Sequence, residues 1–184
     1  MRSRLFKALG ADEADKSHWY TGYYWRTQDT TYCIAFDHEQ DPNNTHHYIL
    51  FDEMTDWGLP NRKFRADINP DTLCEYTGKL DHNKKRIWEH DIVRITNTYN
   101  NPATVSWYLV RYREDEGAFV FTDPKELMFN HMGAFHDMCH IEVLGNEFDN
   151  PELLENIRCQ TPEEFQAEIE AEMRKRGIKC DLRN

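Results

Sequence analysis

Alternating runs rich in aromatic and β-branched residues, broken by clusters of Asp, Asn, Pro and Gly, predict strands over most of the chain up to Gly145. Trp19-Tyr20-Thr21-Gly22-Tyr23-Tyr24-Trp25-Arg26 and Thr30-Thr31-Tyr32-Cys33-Ile34-Ala35-Phe36 read as the arms of a hairpin, with Thr27-Gln28-Asp29 as its turn. After the breaker cluster Asp41-Pro42-Asn43-Asn44, His47-Tyr48-Ile49-Leu50-Phe51 predicts a third strand. Trp57-Gly58-Leu59-Pro60-Asn61 is a tight loop, since Gly frees the backbone and Pro fixes it. A basic stretch follows, and Thr72–Tyr76 is a short strand after the break at Asp67–Pro70.

The strand pattern is clearest between residues 85 and 121. Arg86–Trp88, Asp91–Ile95, Thr104–Tyr112 and Ala118–Phe121 are strands, separated by turns at Asn97–Pro102 and Glu114–Gly117. Cys139–Leu144 is a final strand. Closely spaced strands joined by turn residues predict a small barrel or sandwich. Three helix starts are expected. Asp123-Pro124 and Asn150-Pro151 pair a cap with Pro in the first turn, and Thr161-Pro162-Glu163-Glu164 is a capping box closed by Gly177. In the last of these, Phe165, Ile169 and Met173 form an apolar stripe, which packs either on its own domain or on another subunit.

Composition narrows the class. With 184 residues the chain has room for one sizeable domain or two small ones. Only 39% of residues are hydrophobic and 30% are charged, yet aromatics reach 13%, which is incompatible with a disordered chain. The net charge is −11. Residues 62–94 run against it, with eight Lys/Arg and six acids, a local +2 that leaves −13 on the remainder. A chain this acidic repels phosphate backbones everywhere except from that stretch. Five widely spaced cysteines without a C-x-x-C fit free thiols in a reducing cytoplasm. Met1–Ala8 lacks the apolar core of a secretory signal, and no stretch reaches the length of a membrane span, so no membrane contact is expected.

Candidate chemistry is sparse. His131, His136 and His140 fall within ten residues together with Asp137 and Cys139, but their spacing matches no zinc motif. Cys139 and His140, adjacent on a strand, point to opposite faces, so a solvated loop is expected and no metal. Nucleophile elbows and phosphate-binding glycine loops are lacking, so neither enzyme activity nor a cofactor is expected. Trp57, Asn61, Arg62, Lys63 and Arg65 combine an indole with cationic side chains and are the candidate ligand site. On the aromatic strand, Trp19, Thr21 and Tyr23 share one face while Tyr20, Gly22 and Tyr24 share the other. Tyr20 and Tyr24, with Phe165, Ile169 and Met173, are candidate interface residues; core packing on both strand faces is the alternative.

Three stretches together resemble the YopX family, known mainly from phages and prophages: Asp56–Asn61, Tyr76–Val93 and Val143–Leu154. The resemblance implies an SH3-type barrel from about Tyr76 to Gly145, a tendency to form homo-oligomers and no known enzyme activity. The chain departs from the family at two turns. Lys84 and His90 stand where the family usually carries Gly, which supplies a positive φ.

The expected molecule is thus mostly β: an N-terminal aromatic β subdomain (1–70), an SH3-like barrel (71–150) and a helical tail (151–184). Its expected role is that of a homo-oligomeric, stoichiometric binder in the bacterial cytoplasm, directed at a host protein or a small nucleotide signal, as in inhibition of a defence system. A nucleic-acid-binding small barrel and a purely structural assembly protein are the alternatives.

Overall fold

The computed structural model describes residues 4–28, 45–98, 103–134 and 139–159, together with Glu164 and Ala167, both helical. The protein is mostly β, with two antiparallel sheets. It divides into two compact units, Met1–Thr77 and Gly78–Asn184, so the division falls inside a strand rather than at the break Asp67–Pro70. Among the described residues no helix is long and apolar enough to cross a membrane.

In the first unit, β1 (Phe6–Leu9), β2 (Trp19–Gln28), β3 (Thr45–Glu53), β4 (Arg62–Asp67) and the start of β5 (Cys74–Leu80) lie side by side in the order β4-β3-β2-β1-β5. The described partners of β2 are β1 and β3. Residues 29–44, which contain the expected second arm at 30–36, lie outside the described residues. The strand expected from Thr72 begins instead at Cys74, because Asn69 caps a 3-10 turn at Pro70–Thr72 by accepting from the Asp71 amide at 3.1 Å. One face of the sheet is covered: Ala8, Ile49 and Ile68 are buried there, with Phe6, Tyr20, Tyr24, Phe51 and Leu73 packed against them.

The second unit carries β6 (Arg86–Trp88), β7 (Asp91–Asn97), β8 (Thr104–Arg113), β9 (Ala118–Thr122), β10 (Phe129–His131) and β11 (Cys139–Asn146). Strands β7 to β10 form a meander. After a 3-10 turn at Met132–Ala134 the chain returns as β11 to pair with β7, giving the order β10-β9-β8-β7-β11. This is the connectivity of an SH3-type barrel. Ile87, Val93, Ile95, Val110, Phe119, Phe121, Met132 and Val143 fill its core. The sheet is covered on a second side as well, where Ile92, Leu109 and Ile157 are buried with Trp107, Leu153 and Leu154. Leu153, Leu154 and Ile157 come from the expected helix after Asn150, which is a 3-10 turn at Pro151–Asn156 and the residue that ends it.

The helix expected at Asp123 is absent. Asp123 is buried, and its carboxylate accepts from the amides of Lys125 at 2.8 Å and Met128 at 2.9 Å. The segment closes as a turn and leads into β10 instead of winding up. The tail stripe Phe165, Ile169 and Met173 lies outside the described residues.

Gly22 sits where β2 and β3 approach too closely for a side chain. A Cβ there would stand 2.0 Å from the Leu50 carbonyl oxygen and 2.9 Å from Ile49 Cγ2. Gly22→Ala therefore forces the two strands apart, and is expected to cost about 1–3 kcal/mol. A urea denaturation midpoint equal to that of the wild type would contradict this close approach.

Candidate functional site

The outer face of the first sheet carries aromatic rings that none of the buried clusters among the described residues covers. Residues paired across an antiparallel sheet share a face. Three rungs follow from the register: Lys63 opposite Asp52; Arg65, Leu50 and Tyr23; Asp67, Tyr48 and Trp25. Tyr23 is 60% exposed and Trp25 43%, whereas Tyr48, on the same face, is only 7% exposed. Tyr48 is shielded by its neighbours on the face. The Arg65 guanidinium lies 4.7 Å above its ring, the Trp25 ring is 5.5 Å away, and His46 stacks at 6.2 Å. A cation over a phenol face and an adjacent indole are favourable contacts that also fix rotamers. On β1 and β2, Lys7 covers Trp19 in the same way at 4.8 Å. The face is aromatic, nearly charge-balanced and locally ordered.

The residues expected to form a ligand site do not converge. Lys63 and Arg65 lie on this open face. Arg62 alternates to the other side with Phe64, which stacks 6.0 Å from Phe51. Trp57, 91% exposed, sits in the loop between β3 and β4, its amide donating to Asp56 Oδ1 at 2.7 Å, and Asn61 is exposed just before β4. Tyr20 and Tyr24, the expected interface residues, face the covered side. The Tyr20 hydroxyl donates to Asp15 at 2.8 Å. The Tyr24 hydroxyl is hydrogen-bonded to His47 Nδ1 at 2.7 Å, and burial, helped by Arg26 and His46, lowers the pKa of that imidazole. The open aromatics are Tyr23 and Trp25. Alternation separates the two sets, but only the cluster around Ile49 decides which is covered.

In the second unit, polar groups knit the barrel together. Arg111 grips Glu147 with two parallel bonds, Nη1 to Oε1 at 2.8 Å and Nη2 to Oε2 at 2.7 Å, and its Nε lies 3.5 Å from Glu126. His90 Nδ1 touches both Glu147 Oε1 and Arg111 Nη1. Of the His-rich segment, His136 lies outside the described residues, and His131 stands 3.6 Å from Glu116. His140 meets His82, with ring centroids 4.4 Å apart, while Cys139 packs against the core. The buried Cys74 Sγ donates to the Thr72 carbonyl oxygen at 3.3 Å, and Cys139 and Cys159 are free thiols. Among the described residues no group of three His, Cys, Asp or Glu is placed to hold a metal.

Burial raises the Glu147 carboxyl, but hydrogen bonds from His90 and Arg111 and the charge of Arg111 outweigh it and hold its pKa at about 2. A carboxylate depressed from 4.5 stabilises the fold above its unfolded pKa and loses that contribution as pH falls toward 2. The stability difference between wild type and Glu147→Gln is therefore expected to be largest above pH ~5, at most about 3 kcal/mol, and to vanish near pH 2. Urea titrations across that range measure it, and a pH-independent difference would refute the assignment. Lys84 and His90 both adopt φ +66°. Lys84→Gly, which relieves only backbone strain, is expected to raise stability by about 0.5–1 kcal/mol. His90→Gly relieves the same strain but strips contacts from Glu147 and Arg111, and thermal melts should show it less stable than Lys84→Gly.

No curated protein matches this chain. The family model described as YopX protein matches residues 11–155, a span that holds strands β2 to β5, the complete barrel meander and the returning strand β11. At the two turns that depart from the family by lacking glycine, Lys84 and His90 adopt the positive φ themselves. The chain belongs to the YopX family.

Proposed function

We propose that this chain is a non-enzymatic, phage-associated accessory protein that acts stoichiometrically in the bacterial cytoplasm, as a homo-oligomer that covers a host protein and so blocks a defence system. The observation that carries this reading is the open face of the first sheet, where Tyr23 and Trp25 are exposed beside an ordered Arg65–Tyr48–Trp25 stack. Aromatic and Arg side chains are the anchors that dominate protein interfaces, and rings already held by neighbours lose little entropy on docking. Asp52 and Asp67 alternate with Lys63 and Arg65 on that face. Such balance suits a protein surface of mixed charge better than a phosphate backbone.

A second reading has one observation in its favour. A guanidinium over a phenol, flanked by exposed rings, is also a platform on which bases of single-stranded nucleic acid stack. The two interleaved carboxylates and the net charge of −11 oppose it.

Wild type and Tyr23→Ala/Trp25→Ala are to be compared by light scattering, by capture from host lysate and by gel shift at low salt. The wild type is expected to be a multimer that retains one host protein at a fixed ratio. The double variant should hold that protein at least ~30-fold more weakly, the loss of a hot spot worth about 2 kcal/mol. Salt-sensitive binding of plain DNA or RNA that is lost in the variant would replace this reading with the second one. A wild-type chain that stays monomeric and captures no more than the variant would end both.

A further inference from the structure

The turn between β5 and β6 is fixed by a buried carboxylate. Asp81 is buried; its Oδ1 accepts from the amides of Asn83 and Lys85, at 2.8 Å each, and its Oδ2 accepts from the Val143 amide at 3.1 Å. The His82 amide donates to the Ile141 carbonyl at 2.8 Å. These bonds tie the turn to β11, and bonds from amides to an ionised group are among the stronger ones a backbone makes. His82 is thereby carried over β11, its ring against that of His140 at an interplanar angle of 55°.

The strands beneath complete a groove. His140 and Glu142 alternate outward on β11, and their cross-strand partners on β7 are Thr96 and Arg94, on the side away from the paired core residues Ile95 and Ile141. With His82 and Asn83 these four line a space of about 300 Å³, at the lower end of the range for small-ligand sites. Its chemistry is lopsided. Two imidazoles, one guanidinium, one amide and one hydroxyl can donate, against a single carboxylate, Glu142, which pairs with Arg94. A guanidinium has five N–H donors, so the pairing leaves Arg94 able to bind a second acceptor. A metal fits poorly, because Cys139 turns to the core and the described residues offer no triad of ligands.

The geometry points to this groove as a site for a phosphate monoester of about mononucleotide size. The phosphoryl oxygens are received by His82, His140 and Arg94, while Asn83 and Thr96 bond the remainder of the ligand. The site lies wholly within the second unit and does not depend on the reading given to the first sheet.

Isothermal titration of the full chain with AMP, inorganic phosphate and adenosine tests the site, alongside His82→Ala and His140→Ala. AMP is expected to bind at least about tenfold more tightly than adenosine, with inorganic phosphate competing, because the phosphoryl group carries the charge-assisted bonds. Each variant should weaken AMP at least about fivefold while melting like the wild type, since both side chains are exposed. Nitrogen-edited NMR of the wild type gives an independent readout: the His82 and His140 imidazole resonances should move with AMP and those of His18 should not. The proposal is overturned by the absence of AMP binding up to about 10 mM. It is equally overturned if AMP binding is undiminished in both variants, if the two imidazole signals stay still, or if Zn²⁺ occupies the site and phosphate does not.

Discussion

Buried side-chain oxygens that accept from backbone amides hold the corners of the barrel, and the positions of the functional side chains follow from them. Asp81 takes three amides, Asp123 takes two, Asp91 takes the Trp88 amide at 2.8 Å, and Asn146 takes those of Phe148 and Asp149 at 2.9 Å. A small barrel turns sharply at every strand end, and each turn strands amides that no ladder can satisfy. Short Asx side chains reach those amides without needing a longer loop. Part of the acidity of the chain is therefore structural. Asp81, Asp91 and Asp123 are almost wholly buried, so they add little to the field a partner meets.

The same placement explains what the sequence could disclose. Strands β7, β8, β9 and β11 stand out because alternation and β-branched residues meet clean turn signals on both sides. Lys84 and His90 could be expected at positive φ only through family likeness, since Lys is rare in that conformation and His, although enriched there, adopts it in only a small minority of cases. The signal failed where long-range pairing decides the local structure. Strand β4 reads as a charged stretch because five of its six side chains are exposed, and only pairing with β3 makes it a strand. Asp123-Pro124 has the grammar of a helix start, but a buried Asp that accepts from Met128 commits the segment to a turn.

Charge distribution gives a parallel lesson. The local excess of basic residues between 62 and 94 invites the picture of one cationic patch. Folding disperses it. Arg65 lies over Tyr48, Arg62 faces the opposite side of β4, and Arg94 is paired with Glu142 across β7 and β11. A stretch that spans both units cannot be treated as one surface from its sequence. Dispersal weakens the case for a phosphate backbone, which rewards many cations along one track. It leaves the case for a single phosphoryl group untouched, because that needs a few donors held at one point.

Preorganisation is what the two surfaces share. On the first sheet, Tyr48 is held between Arg65 and Trp25 by contacts within the sheet itself. In the barrel, Asp81 anchors the turn that brings His82 to His140. Ordering flexible side chains on association opposes binding, so groups fixed by the fold favour recognition over turnover of shape. Arg111, His90 and Glu147 illustrate the opposite use of similar residues. There the bidentate ion pair closes internally, and Glu147 is half-buried and held ionised by it. Within the second unit, similar side-chain types close on internal partners around Glu147 and face open space in the groove beside His82.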